Sequence, residues 1–63
     1  GITFSQYVMH LRITYAKELL ETTALPVTEV AFHSGFANVS YFIRSFKDRY
    51  SISPLQYRKQ KLQ

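Results

Sequence analysis

Sixty-three residues, 46% of them hydrophobic, make one small domain with a modest core, too little for a multidomain enzyme or a deeply enclosed substrate cavity. Cysteine is absent, which excludes disulfide staples, cysteine-ligated zinc and a thiol nucleophile, and no apolar run exceeds three residues, too short to span a membrane. The net charge of +4 is uneven: residues 1–31 carry −1 and residues 32–63 carry +5, so a polyanionic partner would meet the second half.

Thr3 and Gln6 stand at the two positions of a helix capping box, with Ile2 and Tyr7 placed as a hydrophobic staple around it. Tyr7, Val8, Leu11, Tyr15, Ala16, Leu19 and Leu20 then recur at three- and four-residue spacing, predicting a first helix from about residue 4 to about 21. Thr22, Thr23 and the approach to Pro26 end it. Pro26 suits the first turn of a second, short helix, where its missing N–H has no intrahelical partner to lose. Glu29 lies near the positive end of that helix dipole. Ser34 and Gly35 stop it, Gly35 supplying the left-handed residue of a sharp turn.

Asn38 is the natural N-cap of a third helix running to about Tyr50. At 100° per residue, Val39, Phe42, Ile43, Phe46 and Tyr50 share one side, while Ser40, Arg44, Lys47 and Asp48 share the neighbouring arc. Ser53-Pro54-Leu55-Gln56 forms a second capping box with proline in the first helical position, and Ile52 and Tyr57 as its staple. It opens a last short helix expected to fray within the polar tail from Arg58 to Gln63. The chain thus reads as all-α: four helices, no strand. The expected core is Leu11, Ala16, Leu19, Leu20, Val30, Ala31, Phe36, Phe42, Phe46 and Tyr57.

A short helix, a glycine turn and a second helix over Pro26–Tyr50 is how a helix-turn-helix is assembled, with its second helix offered to the DNA major groove. A groove reader needs short side chains near its N-terminus and a long donor about one turn on. Val39, Ser40 and Ile43 answer to the former and Arg44 to the latter, with Val39 and Ile43 better placed as partial core than as base contacts. Lys47 would reach phosphate, and Asn38 could donate its side-chain amide to the DNA backbone. Tyr41 lies off both arcs, free to stack, to bond a phosphate or to cover the core edge.

The run from Glu29 to Lys47 (EVAFHSGFANVSYFIRSFK) resembles the "E-I-A-x-x-x-G-F-x-(D/N)-x-S-Y-F-x-R-x-F-K" core of AraC/XylS-type bacterial transcription regulators. Ile52-Ser53-Pro54-Leu55-Gln56-Tyr57-Arg58 is similar to the family's closing "(I)-S-P-x-x-Y-R", and Gly1–Phe4 with Tyr7, Arg12, Ala16, Leu19 and Leu20 to its linker helix. The resemblance covers about residues 1 to 59. It implies a linker helix (about 3–21) plus a three-helix helix-turn-helix subdomain (26–60), the second of two, with a first subdomain expected before Gly1. It also implies a recognition helix at Val39–Arg49, with base contacts from Val39, Ser40, Ile43, Arg44 and Tyr41, and backbone contacts from Lys47 and the Ser53-Pro54 start of the last helix. The expected partner is double-stranded DNA in the bacterial cytoplasm, at the nucleoid.

Two departures from the family pattern stand out. Ser51 occupies the place of a usual glycine, where a left-handed backbone costs a non-glycine residue on the order of 1 kcal/mol. Val30 replaces a commoner isoleucine, one methylene smaller. The competing reading is a helical protein-interaction module that contacts RNA polymerase or a partner subunit, whose binding would ignore DNA and depend little on salt. A membrane-surface role for the basic third helix conflicts with the need for Phe42 and Phe46 in so small a core. His10 and His33, far apart in sequence, form no constellation of nucleophile, base and orienting acid, so no catalysis, metal or cofactor is expected.

Overall fold

The computed structural model describes residues 3–62, and the Ile2 half of the predicted staple lies outside them. These residues form four helices: α1 (Phe4–Thr22), α2 (Val27–His33), α3 (Val39–Tyr50) and α4 (Pro54–Leu62). The all-α reading holds.

Thr3 caps α1 reciprocally with Gln6: its hydroxyl accepts from the Gln6 N–H at 3.1 Å, and Gln6 Oε1 accepts from the Thr3 N–H at 3.0 Å. The inward stripe of α1 differs from the predicted one. Ile13, Ala16 and Leu20 are buried, with Met9 and Leu19 packed partly against them. Leu11 is 49% exposed, and Tyr7 and Tyr15 are similarly open. The reason is angular, because Leu11 and Ile13 stand about 200° apart around the axis and only one can face the other helices. α1 carries two apolar stripes, and Ile13 belongs to the one that is covered.

Pro26 is the N-cap of α2, not a residue of its first turn: its φ of −58° suits a helix, but its ψ of 152° is extended. Its carbonyl accepts the Val30 N–H at 3.0 Å. The far end of α2 closes as expected. Gly35, at φ +91°, donates its N–H to Phe32 O at 3.1 Å, and Phe36 donates to Ala31 O at 3.0 Å. This crossed pair satisfies the last carbonyls and folds Phe36 into the core.

Asn38 Oδ1 accepts from the Tyr41 N–H at 2.7 Å and starts α3. Phe42 and Phe46 are fully buried and join Phe36 and Tyr57 in a chain of aromatic rings with centroids 5.1 to 5.9 Å apart. At the end of α3, Ser51 takes the left-handed conformation (φ 68°, ψ 4°) that its family position anticipates, so the turn is kept and the strain accepted. Ser53 and Gln56 then form the second capping box, and Pro54 is buried in the first turn of α4.

α4 runs to Leu62, through most of the tail expected to fray, and is anchored at its middle by Tyr57 and Arg58. Arg58 donates through Nε to Leu20 O and through Nη2 to Thr23 O, both at 3.2 Å, and through Nη1 to Leu25 O. Its guanidinium serves carbonyls that the end of α1 cannot satisfy internally. Tyr57 donates its phenol to Glu21, tying the same two helices together. Burial, reinforced by that carboxylate, pushes the Tyr57 phenol up to about 12.

Candidate nucleic-acid interface

The rotation of α3 is set by its buried side. With Phe42 and Phe46 locked in the core, Ser40, Arg44 and Lys47 fall on the far side and are exposed. Ser40, Ile43, Arg44, Lys47 and Asp48 line one shallow hollow on this outward surface. Among the described residues the close cation–carboxylate or imidazole–carboxylate contacts are Lys17–Glu21 at 3.8 Å and His33–Glu29 at 3.7 Å. Arg44 and Lys47 therefore hold no carboxylate, and their donors face solvent.

Val39 and Ile43 are half-buried, each packed against the core with part of its side chain left at the edge of the outward arc. Tyr41 is exposed, its ring set edge-on to Phe36 with centroids 5.8 Å apart, so it covers the core edge while its hydroxyl end is open. Asn38 spends its carbonyl oxygen on the helix cap, which leaves the amide NH2 as a free donor at the start of α3. Ser53 is half-buried at the α4 cap: its oxygen accepts from the Gln56 N–H, and its hydroxyl hydrogen remains available. Chemically the surface offers one planar bidentate donor, one ammonium, small polar donors and two apolar edges. That combination suits base edges and phosphate oxygens.

The turn before α3 also lies close to α1, a proximity that the sequence pattern does not reveal. A Cβ built on Gly35 would lie 3.2 Å from Arg12 Nε, so the glycine supplies room for the α1 arginine as well as the positive φ. A second feature missing from the sequence reading is a groove of about 820 Å³ between the first half of α1 and α3. Arg49 Nη2 donates to His10 Nδ1 across it at 2.8 Å. Thirty-nine residues separate the two in the chain, and no local pattern pairs them.

Residues 1–60 match the family model of a helix-turn-helix domain. Among curated proteins the chain is similar to the "Transcriptional activator RhrA" of Rhizobium meliloti, 39% identical over 61 residues that cover 94% of this chain and 19% of that protein. Among solved structures it is similar to the C-terminal domain of the two-component response regulator yesN from Fusobacterium nucleatum, at 48% identity and a TM-score of 0.89, covering 92% of this chain and 56% of that one. An AraC-type transcriptional regulator from Chromobacterium violaceum superposes with a TM-score of 0.94 at 27% identity, over 100% of this chain and 56% of that one. The chain spans about a fifth of the length of the curated relatives it matches. A match along nearly all of its length, joined to this backbone likeness, establishes that the chain belongs to the AraC/XylS-type family of helix-turn-helix transcription regulators.

Proposed function

We propose that α3 enters the major groove of double-stranded DNA and reads it with Val39, Ser40, Ile43 and Arg44, Tyr41 reaching the groove edge. Arg44 is the guanine-directed donor, because its planar fork matches two acceptors on one base edge. Asn38, Lys47 and Ser53 hold the sugar–phosphate backbone and fix the register. The observation that carries this reading is the outward arc Ser40–Arg44–Lys47, solvent-facing and, among the described residues, free of carboxylate partners, on a helix whose other side buries Phe42 and Phe46.

In this reading α1 is a linker helix, and a preceding helix-turn-helix subdomain sits on its open stripe. Two observations support that arrangement. Phe4 (81% exposed), Tyr7, Leu11 and Tyr15 leave large apolar side chains uncovered along α1, and this chain matches only 56% of each of the two solved relatives above. The whole protein regulates transcription at the bacterial nucleoid.

A titration of the chain with duplex DNA, followed by backbone amide shifts at several salt concentrations, tests the reading. Shifts concentrate at residues 38–47 and at Ser53, and affinity falls steeply with salt from a dissociation constant of roughly 10⁻⁴ to 10⁻⁶ M at physiological ionic strength. Affinity that ignores salt, or shifts that bypass α3, would overturn it in favour of a protein-interaction module contacting RNA polymerase or a partner subunit.

A further inference from the structure

We propose that the groove between α1 and α3 seats a DNA backbone strand, held by Arg49 of α3, which His10 of α1 positions. The inference rests on the reading of α3 as the groove-entering helix. A helix with its side chains is about 10–12 Å across, as wide as the major groove, so one sugar–phosphate strand flanks it on each side. At 100° per residue, Lys47 lies to one side of Arg44, while Tyr41, Ser45 and Asp48 lie to the other. The second side opens directly into the α1–α3 groove: Arg44 and Asp48 line both that groove and the hollow on the outward surface.

The groove's chemistry fits a sugar–phosphate chain. Its floor is apolar, from Met9 and Ile13, and suits the carbon face of deoxyribose. Its walls carry Arg44, Arg49 and His10 against the single carboxylate of Asp48. Arg49 can only donate, so its 2.8 Å bond to His10 Nδ1 uses one guanidinium N–H and stretches the side chain across the groove, leaving the other N–H groups for phosphate oxygens. Neither Arg49 nor Asp48 takes part in an ion pair among the described residues. Arg49 is then the phosphate contact, His10 the residue that positions it, and Asp48 a built-in repulsion that keeps backbone affinity down.

The test uses a random-sequence 20-base-pair duplex, since a phosphate contact is indifferent to sequence. Binding of the wild-type chain, Arg49→Ala, His10→Ala and Asp48→Asn is measured across a salt series, with thermal melting of each as the check on folding. Arg49→Ala is expected to reduce the slope of log affinity against log salt by about one unit. His10→Ala leaves the Arg49 guanidinium in place and weakens binding by less than Arg49→Ala. Asp48→Asn strengthens binding about two- to five-fold, in the range of an exposed charge–charge contact. Unchanged slope in Arg49→Ala with unchanged affinity in Asp48→Asn, while the wild type binds normally, overturns this proposal alone. A wild-type chain with no salt-dependent binding overturns the reading of α3 beneath it.

Discussion

Arg44 stands one helical turn beyond Ser40 on the solvent side of α3, with no intramolecular partner for its guanidinium among the described residues. If that fork engages a guanine, Arg44→Ala costs about 1–3 kcal/mol of binding and relaxes preference at one base pair, measured by competition between single-base variants of a selected site. Equal loss on every duplex would reassign Arg44 to phosphate. Ser51 makes a stability prediction of the opposite sign. Its φ of 68° disfavours any side chain with a Cβ, so Ser51→Gly relieves strain of roughly 1–2 kcal/mol, partly offset by the greater freedom of glycine in the unfolded chain. A net gain of up to about 1 kcal/mol in chemical denaturation is expected. Ser51 was legible as a departure because its position in the family pattern calls for glycine. Gly35 was legible only in part, since its positive φ follows from its place after α2 whereas the Arg12 side chain that a Cβ there would crowd lies far away in the chain.

α1 shows how helical periodicity underdetermines burial. Its apolar residues are frequent enough to draw two stripes, one through Ile13, Ala16 and Leu20 and one through Tyr7, Leu11 and Tyr15, and both satisfy three- and four-residue spacing. Only the packing against α2 and α4 chooses between them. Ile13→Ala is therefore expected to cost about 2–5 kcal/mol by leaving a cavity, while Leu11→Ala in this chain stays within about 0.5 kcal/mol of neutral; paired urea melts measure both. A reversed order would show that Leu11 is the covered residue. α3 posed no such ambiguity, because Phe42 and Phe46 fill one side and the polar residues occupy the other.

Taken as one molecule, the fold closes by joining its first helix to its last. Tyr57 and Arg58 on α4 grip Glu21 and the carbonyls of Leu20, Thr23 and Leu25, which holds α1 against the helix-turn-helix unit. The phenol of Tyr57 gives this closure a pH signature. Its folded value near 12 lies above the 10.0 of an unconstrained tyrosine, so the folded chain keeps a proton that the unfolded chain releases. The stability linked to Tyr57 is fully present below pH 10 and is lost as pH rises from 10 through 12. Denaturation followed over that range should show a decline in the wild type that is shallower in Tyr57→Phe. Identical curves would mean that burial and Glu21 leave this phenol unaffected.

Helix number, the caps at Thr3, Asn38 and Ser53, the glycine stop and the polar arc of α3 were all determined by residues within a few positions of one another, because capping and periodicity are local physics. Tertiary packing alone selected the inward stripe of α1, anchored the middle of α4 and created the Arg49–His10 groove. Each of these joins helices through residues more than thirty positions apart or chooses between faces that are locally equivalent, and only the geometry of the assembled helices distinguishes them.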